Sequence, residues 1–285
     1  MQAIIHSILS SVGIAAQQII VVHGGDINQS FCAAHKGGKV FIKLNSADKY
    51  PKMLQLEAEG LTALRQANCL QTPTVLGHGI WDNFQYLLLE WLAPKTAGTV
   101  YWEAFGNGLA KQHQLTFNHF GWTNNNFIGS LVQTNTYTIN WIEFYANNRL
   151  MPLAKALMDQ NAFSINDLQA TEKFCMKLND IIPIEKPSLL HGDLWSGNCM
   201  ALANNVAAVF DPAVYYGHRE MDIAMTMLFG GFDSSFYRAY ENVYPLEKGW
   251  QARLPIMQLY PLLVHAVLFG GSYVERCKKI MQTFG

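Results

Sequence analysis

Two short segments constrain this chain more than any other. The first is Leu189-Leu190-His191-Gly192-Asp193-Leu194-Trp195-Ser196-Gly197-Asn198; the second is the β-rich run from Val206 to Phe210, which ends in Asp211-Pro212. A pair of apolar residues leads into a polar turn with one carboxylate, an amide follows five positions later, and a strand then delivers a second carboxylate. Each residue has a local explanation when taken singly. Asp193 beside Gly192 is a turn former, Asn198 an ordinary turn residue, and Asp211-Pro212 a strand end. The combined spacing asks for more: a fold that brings an amide and two carboxylates to one place.

Phosphoryl transfer uses that set, with one Asp to accept the proton of an attacking hydroxyl and an Asn and a second Asp to hold Mg2+ against the phosphates of ATP. The spacing matches H-R-D-x-x-x-x-N followed by D-F-G, with Gly192 in place of Arg and Asp211-Pro212-Ala213 in place of D-F-G. On this reading Asp193 is the base, and Asn198 and Asp211 are metal ligands. The reading requires a nucleotide-binding half upstream.

The chain has 285 residues, half of them hydrophobic and 14% charged, enough to bury one large core or two lobes. A net charge of −1 gives no electrostatic case for nucleic acid or an anionic membrane. A small-molecule partner fits better. Cys32, Cys69, Cys175, Cys199 and Cys277 are scattered and include no C-x-x-C pair, which argues against a disulfide framework or zinc knuckle and for a reducing cytoplasm. The first 22 residues lack a basic start and carry Gln17 and Gln18, unlike a signal peptide. The apolar run from Leu259 to Phe269, interrupted by Pro261 and His265, reads as too short to span a bilayer.

Ile4, Ile5, Ile8, Leu9 and Val12 predict an opening amphipathic helix ended by Gly13. Strands are expected over 18–23, 30–35 and 39–44, punctuated by Gly24-Gly25-Asp26 and Gly37-Gly38. The first glycine turn, with Asn28 close behind, lets backbone N–H groups approach phosphates, although such turns are often only turns. In Val40-Phe41-Ile42-Lys43-Leu44, alternation puts Phe41 and Lys43 on one face and the aliphatic residues on the other. Lys43 is thus either a solvated strand lysine or the counterpart of the V-A-I-K lysine that meets phosphates and pairs with a helix glutamate.

The next helix, over 51–66, offers Glu57 and Glu59; Glu57 shares the apolar face with Leu64 and is the expected partner, leaving Glu59 at the surface. Strands over 75–81 and 84–91 follow, and Glu90, Trp91 and Leu92 fall where a hinge presents backbone groups to adenine; a plain core strand is the alternative. Beyond Pro94 the pattern turns helical: 99–116, a Gly- and Asn-rich loop over 121–129, then 138–150, 153–158, 165–182, 234–242 and 254–279. His113 reads as structural. Asp222 either caps a helix or holds the backbone of the loop around Asp193.

The sequence resembles the fructosamine kinase (ketosamine-3-kinase) family, whose fold is similar to aminoglycoside phosphotransferases and, more distantly, protein kinases. The likeness runs nearly the whole chain. It is most specific at His191-Gly192-Asp193-Leu194-Trp195-Ser196-Gly197-Asn198, with support from Gly24-Gly25-Asp26-Ile27-Asn28, Phe41-Ile42-Lys43, Glu57-Ala58-Glu59-Gly60-Leu61, residues 121–129, Asp211-Pro212-Ala213, Gly217-His218-Arg219-Glu220-Met221-Asp222 and Phe269-Gly270-Gly271-Ser272-Tyr273. Some members carry a cysteine just after the glycine pair, where this chain has Asp26.

The resemblance implies an α+β, two-lobed protein-kinase-like fold, with an ATP-binding lobe over 1–92 and a helical catalytic lobe over 93–285. It implies Asp193 as base, Asn198 and Asp211 on Mg2+, Lys43 with Glu57 on the ATP phosphates, and a hinge at Glu90 to Leu92. The glycine pair and Asn28 lie near the nucleotide, Trp195 supplies a sugar-facing ring or simply packs the loop, and His191 and Asp222 support it. The implied substrate is a ketosamine, free or on a protein lysine, phosphorylated on the sugar 3-hydroxyl to give an unstable adduct. An aminoglycoside, choline-like alcohol or free sugar is the alternative acceptor, and a non-catalytic nucleotide-binding module the alternative class. Oligomeric state is left open.

Overall fold

The computed structural model describes residues 1–24 and 27–284; Gly25 and Asp26, expected at the phosphate turn, lie outside them. The N-terminal part contains α1 (Gln2–Ser11), β1 (Gln18–Val22), β2 (Gln29–His35), β3 (Gly38–Ser46), α2 (Met53–Ala67), β4 (Val75–Trp81) and β5 (Phe84–Glu90). The strands form one sheet in the order β1-β2-β3-β5-β4, antiparallel throughout.

Period-2 alternation on β3 sends its side chains to two different partners. Val40, Ile42 and Leu44 pack with Ile5, Ile8 and Leu9 of α1, and each such fully buried aliphatic side chain stabilises by about 1.5–3 kcal/mol. The opposite face meets α2, where Phe41 packs with Leu54, Ala58 and Leu61. Lys43, one step further along that face, is consequently buried beside α2.

The larger C-terminal part contains α3 (Thr99–His113), β6 (Asn126–Ile128), β7 (Leu131–Gln133), α4 (Trp141–Tyr145), a π-helical turn (Ala146–Leu150), α5 (Met151–Asp159) and α6 (Ile165–Ile181). β8 (Ser188–Leu190), β9 (Cys199–Ala201), β10 (Ala207–Val209), β11 (Tyr215–Gly217), α7 (Glu220–Leu228), α8 (Ser234–Val243), α9 (Trp250–Phe269) and α10 (Ser272–Phe284) complete it. Three expectations are corrected. The Gly- and Asn-rich stretch closes as the β6–β7 hairpin, with Gly129 in the left-handed region at its tip. The helix expected from 138 to 150 is α4 continued by the π turn into α5. The final helix is two, because Gly270 and Gly271 take φ of 65° and 60°, a reversal that side chains with a Cβ seldom adopt.

α9 is also longer than the apolar run that suggested it. Its 20 residues are apolar enough to span a bilayer by length and composition, yet more than half of its most apolar stretch is buried inside the protein. Ile256, Leu259 and Leu263 of this helix join Phe144, Leu157 and Phe174 in the main core.

Candidate active site

Two short antiparallel pairs position the key loops. β9 pairs with β10 so that Cys199 faces Val209, and one step outward the Phe210 N–H donates to the Asn198 carbonyl at 3.1 Å. Asn198 and Asp211 therefore emerge side by side. β8 pairs with β11, Leu190 facing Tyr215, and the Ala213 N–H donates to the His191 carbonyl at 2.9 Å. The loop carrying Asp193 thus lies against the segment carrying Asp211.

Inside this loop the backbone N–H groups of His191, Gly192 and Asp193 all have side-chain partners. The buried His191 ring accepts from Asp193 N–H at Nδ1 (3.3 Å) and donates from Nε2 to the Phe210 carbonyl (3.0 Å). Both contacts require the neutral Nε2–H tautomer, and burial lowers the His191 pKa in the same sense. Asp222 accepts from the His191 N–H at Oδ2 (2.8 Å) and from the Gly192 N–H at Oδ1 (2.9 Å). Its place is under the loop rather than at a helix cap, since no side-chain cap bond forms at the start of α7. His113 stands 3.2 Å from the same Oδ2 and 2.8 Å from the Tyr240 hydroxyl. Burial disfavours charge on Asp222, but the His113 contact and the Gly192 N–H outweigh it and hold the carboxyl below its ordinary range.

Asp193 is placed differently. Burial raises its pKa, the charge of Asp211 adds to the rise, and the Asn198 amide opposes it; the carboxyl is pushed up to about 7. Asn198 Nδ2 donates to the Asp193 carbonyl (2.8 Å) and to its Oδ2 (3.1 Å), which commits the nitrogen and leaves Asn198 Oδ1 as an oxygen donor.

Lys43 reaches the site from β3. Its Nζ lies 2.7 Å from Glu57 Oε1 and 2.5 Å from Asp211 Oδ1. Burial pulls its pKa down, but the two carboxylates overcome this and hold the ammonium charged. Glu57 is the partner, as expected; Glu59 sits nearer solvent and accepts from Asn124 Nδ2 at 3.1 Å. A cleft of about 220 Å³ is lined by Gly24, Asn28, Lys43, Glu57, Asp193, Trp195, Asn198 and Asp211.

Asn28 is tied by the amide of Asn45, Nδ2 to Oδ1 at 2.7 Å. Trp195 is 36% exposed and meets Phe229 edge-on, centroids 6.1 Å apart. A Cβ on Gly197 would lie 2.3 Å from the Trp195 ring, so a larger residue there would require the ring to move. At the expected hinge, the Glu90 N–H donates to the Thr74 carbonyl (2.9 Å) and its Oε2 takes the Thr74 hydroxyl (2.6 Å). Trp91 packs near Phe41 and under Lys39.

The sequence reading missed the β6–β7 hairpin as part of the site. Asn126, Phe127 and Gly129 line the same cleft as Lys43. The run Asn124-Asn125-Asn126, polar before a strand, was the available signal.

The donor set suits a hard cation. Asp211 is 42% exposed at its side chain and lines the cleft with Asn198, one carboxylate and one amide oxygen, as Mg2+ takes when phosphates and water complete its shell. Among the described residues no cluster of three or more His, Cys, Asp or Glu is built to hold a metal by itself.

A family model described as fructosamine kinase matches residues 1–284. A Synechocystis protein named a probable ketoamine kinase is 38% identical over 263 residues, covering 92% of this chain and 88% of that one. A chloroplastic protein-ribulosamine 3-kinase of Arabidopsis thaliana is 34% identical over 272 residues, 92% of this chain and 81% of its own. The crystal structure of a Thermobifida fusca protein named as a fructosamine-3-kinase superposes with a TM-score of 0.88 at 32% identity, covering 97% of this chain and 98% of that one.

Proposed function

The chain belongs to the fructosamine kinase family, and from that premise we propose that it transfers the γ-phosphoryl group of ATP to the sugar 3-hydroxyl of a ketosamine, carried on a small amine or on a protein lysine. One observation carries the reading: Lys43, on β3, is held between Glu57 of α2 and Asp211 of the distant loop segment. A solvated strand lysine would make neither contact. Asp193, which we take as the base, and Asp211, which we take as a metal ligand, line the same cleft as this fixed cation.

In this scheme residues 1–92 carry the nucleotide. Gly24 approaches its phosphates, Asn28 lines the same end of the cleft, and the stretch from Glu90 through Trp91 to Leu92 borders the adenine. Lys43, aligned by Glu57, holds the phosphate tail. Asn198 and Asp211 would hold Mg2+, which when bound neutralises charge on the phosphates. Residues 93–285 supply the base and the acceptor side.

Asp193 receives the proton of the attacking hydroxyl late in a loose transition state. Positioning matters more than basicity: the oxygen must lie within about 2.6–3.2 Å of the hydroxyl. His191 and Asp222 fix the backbone on either side of it. Trp195, two residues on and partly exposed, offers the sugar an aromatic face.

The test is ATP consumption with Mg2+ on fructosyl-, ribulosyl- and erythrulosyl-lysine, an aminoglycoside and choline, with Asp193→Ala alongside. Turnover on a ketosamine, lost in the variant, is expected. Turnover confined to the aminoglycoside or choline would overturn the acceptor assignment.

A further inference from the structure

Arg149 is completely buried in the π-helical turn. Its guanidinium carbon lies 4.5 Å from the Phe144 ring, 4.2 Å from Tyr215 and 5.2 Å from Tyr260. Among the described residues no carboxylate lies within ion-pair distance of it. Such a buried cation is costly to keep. Aromatic faces offset part of that cost, but they do not explain why an arginine stands there.

The hydrogen bonds do. Nη1 donates to the Thr134 and Asn148 carbonyls, and Nη2 donates to Asn135 Oδ1 at 2.8 Å. Asn135 Nδ2 donates to Asn126 Oδ1 (2.9 Å), and Asn126 Nδ2 donates to the Val214 carbonyl (2.8 Å). Gln133 Nε2 reaches both Asn126 Oδ1 (2.8 Å) and the Ala213 carbonyl (3.1 Å), while its Oε1 accepts from the Tyr260 hydroxyl (2.8 Å).

An arginine can only donate and a backbone carbonyl can only accept. The chain therefore has a direction: Arg149 forces Asn135 to present oxygen, which turns its nitrogen to Asn126, which turns its own nitrogen to Val214. The far end of the chain is the segment immediately after Asp211. Asp211 itself has φ of 56°, in the left-handed region that aspartate tolerates better than most L-residues, so the direction of its carboxylate depends on how the backbone after it is held. Asn126 and Gly129, on the hairpin tied into the same network, line the cleft.

We propose that Arg149 is a positioning residue for phosphoryl transfer: through Asn135, Asn126 and Gln133 it fixes the Ala213 and Val214 carbonyls and so aims the Asp211 carboxylate at the metal. The proposal rests on the kinase reading of the cleft. A purely structural Arg149 would contribute to stability and leave metal affinity alone.

The experiment compares wild type, Arg149→Met and Asn135→Ala. Asn135→Ala keeps Arg149 and its aromatic cage and removes the side-chain bonds of Asn135 to Arg149, to Asn126 and to the Asn124 carbonyl, so it carries the test if Arg149→Met does not fold. Mn2+ binding to the protein with ADP is followed by electron paramagnetic resonance, and Mg2+ half-saturation of turnover is measured beside the KM for the ketosamine. Outer-shell partners of a metal ligand are worth about 10–100-fold in affinity. A loss of Mn2+ affinity of about tenfold or more in folded Asn135→Ala, with a matching rise in Mg2+ half-saturation and a smaller change in ketosamine KM, is the expected result. Wild-type Mn2+ affinity in folded Asn135→Ala, with only the melting temperature lowered, would overturn the proposal. Wild type that binds Mn2+ with ADP but ignores every ketosamine would refute the acceptor assignment, and the Mn2+ comparison would still decide the role of Arg149.

Discussion

Lys43 and Asp211, 168 residues apart in sequence, meet at 2.5 Å, Nζ to Oδ1. On the proposed roles, a divalent cation held by Asp211 would compete with the ammonium for this oxygen and would leave Lys43 free to meet the phosphates. The contact would then couple nucleotide alignment to metal binding.

Lys43→Met should separate the two effects. Removing a positive charge next to Asp211 favours a second cation there, so Mn2+ binding without nucleotide should tighten. Turnover should fall by about 10²–10³, the usual loss when one fixed donor to the developing charge is removed. Titration of Mn2+ and steady-state kinetics check both halves; wild-type turnover would rule out the phosphate role.

Asp193 gives a pH prediction with a definite sign. Its folded pKa is raised to about 7 from 3.8, chiefly by burial, so the fold prefers the neutral carboxyl while the proposed role as base needs the anion. The kcat/KM for the acceptor should rise with pH and level off above about 7. The stability associated with this group is fully present below the unfolded pKa and lost as pH rises through about 7. Asp193→Asn should therefore melt higher than wild type at pH 8, with the advantage shrinking toward pH 4, and should be inactive throughout. An acid limb that stays in the ordinary carboxylate range, near about 4, would contradict this.

The N-terminal sheet was legible because its signals are local. Alternation on Val40 to Leu44 predicts both faces of β3, and the partnership of Lys43 with Glu57 follows from the helical face shared with Leu64. Residues 121–129 were harder. Asn126 pairs with Gln133 and bonds to Val214, 88 residues away, and no local periodicity marks a three-residue strand whose stability comes from such distant partners. Residues 254–279 misled for the opposite reason. Apolar spacing continues through Gly270 and Gly271, and only their left-handed backbone ends one helix and starts another. His113 read as structural from its surroundings in sequence, and its bond to Asp222 depends on α3 and α7 meeting in space.

Asp222 is the next test. Its two oxygens accept from His191 N–H and Gly192 N–H, and an amide can replace only one of them as acceptor. Asp222→Asn should leave one buried N–H without a partner, costing about 1–3 kcal/mol, and should lower kcat more than it raises the KM for ATP. Denaturant unfolding and kinetics on the same preparation measure both. A stability loss with unaltered kcat would restrict Asp222 to packing.

Gly192 tests how tightly the two loops are joined. It has φ of 84°, and a Cβ there would stand 2.0 Å from the Ala213 carbonyl oxygen. Gly13, at the end of α1, has a similar φ of 77° but nothing within 4 Å of its would-be Cβ. Ala at either position pays the left-handed backbone penalty, about 1–2 kcal/mol. Only at Gly192 must the Ala213 backbone also retreat, and that movement is transmitted to Asp211 two residues earlier. Gly13→Ala should thus lower the unfolding free energy by about this amount and keep full turnover. Gly192→Ala should lose more stability and at least about tenfold in kcat, since small displacements at a reacting centre are expensive. Equal stability losses in the two variants, with turnover intact in both, would mean that the loop of Asp193 and the segment of Asp211 move independently.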